Sequence, residues 1–329
     1  MLFSLIIPVF NRPDEVAELL DSLTHQSVSE FEVILVEDGS TLPCRDVALR
    51  YADRLDVHYF LKPNSGPGPS RNYGAEHSRG DYLLILDSDV VLPPDYLRAI
   101  CDELQARPAD AFGGPDRAHP SFTPTQKAIN YAMTSLLTTG GIRGGKRKLD
   151  RFYPRSFNMG LRREVYQDLG GFSAMRFGED IDLSLRIFKG GYSCRLFPEA
   201  WVWHKRRTDL RKFFRQVHCS GIARIDLAER HPGSLRVVHL LPAAFTLGCL
   251  LLVLASPFCP WSLLPIAFYA LLVGLDASVQ NRSLGIGLRS VAASFIQLTG
   301  YGSGFLRAWW LRRVRGHGQV EAFRENFYQ

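Results

Sequence analysis

The chain has 329 residues and 46% apolar content, enough to bury the core of one large domain or two smaller ones, which excludes a disordered protein. Its net charge of +6 is uneven: residues 204–236 carry nine Lys/Arg against three acids and residues 237–329 seven against three, leaving −4 for residues 1–203. Six scattered cysteines, with no C-x-x-C pair and no histidines at zinc spacing, argue against a disulfide framework and for a reducing, cytoplasmic setting.

The opening MLFSLIIPVFNRPDE lacks the charged start and small-residue cleavage site of a signal peptide, and its apolar run is too short to cross a bilayer. It reads instead as a buried first strand over 4–10. A helix follows, with Pro13 at its start and Asp14 and Glu15 in the first turn, where acids complement the dipole. FEVILVEDGS (31–40) is a second buried strand, DVALRYADRL (46–55) is helical and VHYFLK (57–62) is a third strand. A turn-rich NSGPGPS leads into RNYGAEHS, and the apolar run Leu83–Leu86 then ends in Asp87-Ser88-Asp89. Continuous apolar strands alternating with amphipathic helices predict an α/β fold with a mostly parallel sheet covered by helices on both faces. Ligands of such sheets bind outside the carboxyl ends of the strands, so Asn11, Asp38, Asp87 and Asp89 are expected along one edge.

Two acids spaced i, i+2 at a strand end can reach one point, and oxygen ligands suit Mg²⁺ or Mn²⁺. D-x-D alone is a short pattern with many chance matches, and a solvated strand end explains it equally well. Asp38 follows another buried strand, where its carboxylate can accept the N–H of a pyrimidine or guanine base. In RFGEDIDLSLRIFKGG (176–191), Glu179 and Asp180 open a helix that ends at Gly190–Gly191. Acids at that position can simply complement the dipole, or Asp180 can be a general base held by a rigid helix. His204 ends the alternating WVWH strand and is either structural or a third metal ligand. Between these lie GGPD (113–116), a helical TPTQKAINYAMTSLL and the loop GGIRGGKRK (140–148), expected as a solvated surface segment.

In order, SLIIPVFNR, VILVEDGS, SGPGPSRNYGA, LLILDSDV, FNMGLRREVYQDLGGF, RFGEDIDLSLRIFKGGY and WVWHKRR resemble a family 2 glycosyltransferase of GT-A fold over residues 1–225. The resemblance implies a metal-dependent inverting transfer of a sugar from a nucleotide diphosphate donor, with a UDP-sugar favoured. It places Pro8 and Asn11 in the nucleotide pocket, Asp38 on the base, Arg71 on base or phosphate and Asp87 beside the nucleotide. Asp89 and His204 become the metal ligands for Mn²⁺ or Mg²⁺, Asp180 the acceptor-activating base, and Glu179 its neighbour on the helix. A processive polysaccharide synthase would need more crossings and a Q-x-x-R-W sequence after that helix, where RQVHCSGIARI stands instead. A silent sugar-nucleotide-binding scaffold is disfavoured by the presence of Asp38, Asp89 and Asp180.

Residues 226–329 are expected as C-terminal membrane-associated helices. VVHLLPAAFTLGCLLLVLAS (237–256) and PWSLLPIAFYALLVGLDASV (260–279) each have the length of a bilayer crossing and predict an inserted hairpin. Its flanks, 204–236 and Arg282/Arg289, are basic, which puts them and the catalytic domain on the cytoplasmic side. The third apolar segment, 290–311, precedes Arg312, Arg313 and Arg315, so an interfacial or re-entrant placement is favoured over a spanning one. Phe213, Phe214, Val217, Ile222 and Ile225 among the basic residues of 204–225 suit an amphipathic helix on an anionic membrane surface. Nucleic acid is excluded as the partner because that stretch joins an apolar hairpin and the remaining globular part is acidic. A membrane setting points to a lipid-linked hydroxyl acceptor, in surface polysaccharide or glycolipid synthesis.

Overall fold

The computed structural model describes residues 1–119, 121–140, 152–205 and 207–316. Contacts divide the chain into two compact units, Met1–His119 with Asp150–Lys205, and Pro120–Leu149 with Arg206–Gln329. The division therefore falls after Lys205, not at the expected 225, and residues 120–149 join the C-terminal unit. Residues 141–148 of the GGIRGGKRK loop lie outside the described residues.

In the first unit the strands are β1 (Phe3–Val9), β2 (Phe31–Asp38), β3 (Val57–Lys62), β4 (Tyr82–Leu86), β5 (Val90–Val91), β6 (Ala111–Gly113), β7 (Asp116–Arg117), β8 (Asn158–Arg162), β9 (Cys194–Leu196) and β10 (Val202–His204). Its helices are α1 (Pro13–Leu23), α2 (Arg45–Tyr51), α3 (Pro67–Glu76), α4 (Tyr96–Ala106), α7 (Arg163–Asp168) and α8 (Glu179–Lys189). The main sheet runs β3-β2-β1-β4-β8-β6-β9, with only β8 antiparallel to its neighbours. A small second sheet, β5-β10-β7, carries the end of β4 onward.

Both faces of the main sheet are covered, which explains the unbroken apolar strands. Leu5, Ile7, Val33, Leu35, Leu84 and Leu86 face α1 and α4 through Val16, Leu19, Leu20, Leu97 and Ile100. The alternate residues Ile6, Ile34, Val36, Leu83 and Ile85 pack with Leu183 and Ile187 of α8 on the other face. Each such side chain stabilises the fold by about 1.5–3 kcal/mol through burial. Helix α3 lies close against the sheet because Gly74 has no side chain: a Cβ there would stand 2.7 Å from Ile6 Cγ2. After β3 the chain crosses back, and β4 forms on the opposite side of β1 from β2, so the strand order reverses between β1 and β4. The two strands pair only as far as Ile6 and Ile85, and beyond that they part. This parting creates the crevice that parallel sheets use for ligands.

The second unit is helical: α5 (Pro124–Thr134), α6 (Leu136–Thr139), α9 (Leu210–Arg230), α10 (Val237–Ala255), α11 (Leu264–Asn281) and α12 (Leu284–Arg313), with a 3₁₀ turn at Pro260–Leu263. Thr123 and Gln126 form a capping box on α5, and the Asp209 carboxylate accepts the Lys212 N–H to cap α9. α10 and the segment from Pro260 through α11 are long and apolar enough to cross a membrane, matching the two expected segments. The third apolar segment lies inside the single helix α12, which packs on α5, α9, α10 and α11. Small residues make that packing close: a Cβ on Gly304 would meet His218 O at 2.0 Å, and one on Gly302 would meet Pro242 O at 2.3 Å. Arg312 pairs with Asp226 and Glu229, so α9 and α12 run side by side in the same direction.

Candidate active site

The parting of β1 and β4 brings the loops after both strands together. Arg12, three residues past the end of β1, contacts Asp89 through Nη1. β5 follows Asp89 directly and pairs with β10 so that His204 lies opposite Val90. His204 Nε2 is consequently 3.3 Å from Asp89 Oδ1, while Nδ1 is 3.7 Å from Asp116 Oδ2. The imidazole stacks on Phe157 with centroids 4.9 Å apart. One ligand atom each from Asp87, Asp89 and His204 lies within 4.8 Å of the others. Two carboxylates and one imidazole at that separation suit Mn²⁺ or Mg²⁺ as a donor set. Among the described residues a second such group, Glu32, Asp56 and His58, has both acids already spanned by Arg79, at 2.9 and 2.7 Å.

Burial raises the Asp89 pKa, but His204 and Arg12 outweigh it and hold the carboxyl well below the usual range. The group is therefore ionised at physiological pH. Arg71 comes from α3 and is buried, with its Nη2 2.9 Å from Asp87 Oδ1 and its Nη1 2.8 Å from Glu179 Oε1. Its guanidinium carbon lies 5.1 Å from the centroid of the Phe172 ring. Burial lowers the Arg71 pKa, yet Asp87 and Glu179 reverse this and keep it raised. For Glu179, burial and then the neighbouring Asp180 charge, opposed by Arg71, push the carboxyl up to about 7. Asp180 is also buried; its Oδ1 accepts the Ile181 N–H at 2.8 Å and its Oδ2 pairs with Arg155 Nε at 2.8 Å. Each acid at the start of α8 thus has its own arginine.

Asp38 stands apart from the Asp87–Asp89–His204 group. Its carboxylate accepts the N–H of Ser65 at 2.9 Å and of Gly66 at 2.8 Å, and it pairs with Lys62 at 2.7 Å, shaping the turn into α3. Asn11, at φ +54°, uses Oδ1 to accept the N–H groups of Thr41 and Leu42, joining the loops after β1 and β2. Pro8 lies opposite Val36, past the last β1–β4 pair. Residues not assigned from the sequence also enter: Arg12, Asp116, Arg155 and Phe157. Only Arg12 carried a signal, as the last residue of SLIIPVFNR just past the first expected strand, while Asp116 stood in GGPD with no role assigned.

The profile of Glycosyl transferase family 2 matches residues 4–170. Curated relatives include an uncharacterised glycosyltransferase of Haemophilus influenzae, 29% identical over 57% of this chain and 62% of its own length. A pre-mycofactocin glycosyltransferase of Mycobacterium tuberculosis is 30% identical over 70% of this chain and 48% of its own. The chain thus spans between 48% and 62% of the length of these curated relatives. Among solved structures, the mannosyltransferase PcManGT from Pyrobaculum calidifontis, in complex with GDP-Man and Mn²⁺, aligns with a TM-score of 0.64. It is 18% identical and covers 88% of this chain and 86% of its own. S. aureus TarS 1–349 in complex with UDP-GlcNAc aligns at 0.50, with 18% identity, 97% of this chain and 93% of its own. At such identities these structures speak for the shared GT-A fold.

Proposed function

The chain belongs to glycosyl transferase family 2, and from that membership we propose that it moves a sugar from a nucleotide diphosphate donor to a hydroxyl acceptor with inversion at the anomeric carbon. One observation carries this reading: Arg71 joins Asp87, next to the candidate metal ligands, to Glu179 at the head of α8. One buried guanidinium therefore links two sets of acids that sequence order separates by about ninety positions.

Asp89 and His204, with Asp87 beside them, would hold Mn²⁺ or Mg²⁺. When bound, the cation supplies positive charge against the diphosphate leaving group. Asp180 takes the proton of the acceptor hydroxyl at its carboxylate, and the freed oxygen attacks from the face opposite the diphosphate, so configuration inverts. Arg155 orients Asp180. Arg71 keeps Asp87 and Glu179 in register. Arg12 adds a fixed positive charge at the donor end of the cleft. Pro8, Asn11 and Asp38 line the nucleotide side, with uridine favoured as the base. That the two solved relatives hold GDP-Man with Mn²⁺ and UDP-GlcNAc supports a nucleotide-sugar donor.

The hairpin α10–α11 attaches the protein to the cytoplasmic membrane, and the basic flanks keep the catalytic unit on the cytoplasmic side, where nucleotide sugars are made. The acceptor is then lipid-linked and delivered at the bilayer surface, in surface polysaccharide or glycolipid synthesis. A thermal-shift screen of UDP- and GDP-sugars with and without Mn²⁺ tests the donor reading. A melting temperature raised by one donor and only with the cation is expected; no stabilisation by any nucleotide sugar would sink it.

A further inference from the structure

We infer that Asp116 is a positioning residue for the candidate cation site: facing Nδ1 of His204, its carboxylate holds the imidazole in the tautomer and orientation that turn the Nε2 lone pair towards an ion beside Asp89. This rests on the cation reading of Asp87, Asp89 and His204 just proposed and extends it to a residue with no role so far.

The register of the small sheet brings the three side chains together. β10 is its middle strand, with β5 on one side and β7 on the other. On the β5 side His204 lies opposite Val90, and the Lys205 N–H donates to Asp89 O at 3.1 Å. On the β7 side Val202 is in register with Asp116, and the Val202 N–H donates to Pro115 O at 3.1 Å. Side chains two apart on a strand share a face, so His204 lies on the same face as Val202 and its partner Asp116.

The GGPD sequence makes this approach possible. A Cβ on Gly114 would stand 1.6 Å from Ala200 O, the oxygen that accepts an Asn158 Nδ2 hydrogen bond at 2.8 Å. No side chain fits there, so the chain entering β7 meets the chain entering β10 backbone to backbone. Pro115 then gives only its carbonyl to the ladder, and Asp116 follows at once.

The imidazole is held on three sides. Phe157 covers one face, with planes inclined by 28°. Nε2 is 3.3 Å from Asp89 Oδ1 and Nδ1 is 3.7 Å from Asp116 Oδ2. At 3.7 Å Asp116 acts through its charge rather than a hydrogen bond, and with its side chain 10% exposed that charge is weakly screened. A neutral imidazole has one N–H and one lone pair. Asp89 alone would draw the single proton to Nε2, where it blocks a cation. The Asp116 charge draws it to Nδ1 instead and leaves the Nε2 lone pair available. Asp116 is not itself a ligand: the three-ligand group among the described residues is Asp87, Asp89 and His204, and Asp116 meets the other ring nitrogen.

Mn²⁺ binding to the full chain in detergent, without nucleotide and read from the free-ion paramagnetic signal, tests this in a double-mutant cycle of Asp116→Asn and His204→Gln. Alone, Asp116→Asn is expected to weaken Mn²⁺ binding by about 10–100-fold. In the His204→Gln background, titrated to millimolar Mn²⁺ where the two carboxylates still bind, it should cost less than about twofold. An equal loss in both backgrounds would mean that Asp116 attracts the ion directly or supports the fold, and overturns the inference. Unchanged Mn²⁺ binding in Asp116→Asn overturns it too. Asp116→Ser, with melting temperature as the check, takes the place of an asparagine variant that fails to fold. If His204→Gln binds Mn²⁺ as tightly as wild type, the imidazole is not a ligand and the inference falls while Asp89 keeps its role. A wild type that binds no Mn²⁺ removes the cation reading itself.

Discussion

Two leucine-rich runs, one in each unit, have opposite fates. LLIL at the core of β4 is fully enclosed, with Leu84, Ile85 and Leu86 at 0% exposure, whereas in α10 Leu250, Leu251 and Leu254 are 54%, 66% and 60% exposed. The first unit turns its apolar side chains inward and leaves charge at the strand ends, where it converges on a cleft. The second turns small residues inward, so that Gly300, Gly302 and Gly304 let helices approach backbone to backbone, and faces its leucines outward. Apolar content alone does not say which way a segment faces; what it packs against does.

The largest expected effect lies at the polar end of the first unit. Asp180→Asn should lower transfer by about 10²–10⁴-fold while donor binding stays near wild type, because a general base is worth that much and the amide keeps the shape. Steady-state transfer beside a nucleotide-binding titration checks it, and unchanged turnover removes Asp180 from the role. The contrast between the leucines comes next. Leu84→Ala should cost about 2–5 kcal/mol of stability by leaving a cavity in a packed core. Leu251→Ala should stay within about 0.5 kcal/mol in detergent. Equal losses in denaturant unfolding would erase the distinction between the units.

Asp89→Ala should weaken Mn²⁺ binding to the protein alone by at least about tenfold, or ~1.4 kcal/mol. Paramagnetic titration of free Mn²⁺ reads this without any turnover, and a wild type that binds no Mn²⁺ refutes the assignment. The smallest effect concerns pH. Glu179 binds its proton more tightly in the folded state, where its carboxyl is raised to about 7 from an ordinary 4.5. Its contribution to stability is therefore complete below the ordinary value and lost as pH rises through about 7. Glu179→Gln should flatten melting temperature against pH across that window, and a slope identical to wild type would show that the group does not titrate there.

Much of the fold was legible locally. Strands and helices of the first unit follow from apolar runs that stop at Asn11, Asp38 and Asp87, because buried strands must be apolar along their length and polar where they leave the sheet. The same logic located Asp89, Glu179, Asp180 and His204 at element ends. It missed Arg155 and Phe157, which precede β8 in a stretch with no clear period, since their importance comes only from what they touch. It also set the domain boundary at 225, where the family resemblance ends, which left most of α9 with the first unit although the charge changes sign near 204. The packing of α9 on α12 is visible only in three dimensions.

By itself, then, the sequence determined which residues would be buried, where strands would end, and that two C-terminal segments are apolar enough for lipid. These properties depend on local hydrophobicity and backbone preference. Tertiary structure alone decided that Arg71 ties Asp87 to Glu179, that Arg12 and His204 meet on Asp89, and that α12 packs on α9, α10 and α11. Those contacts join positions far apart along the chain, and their strength depends on distance and burial that only the folded arrangement sets.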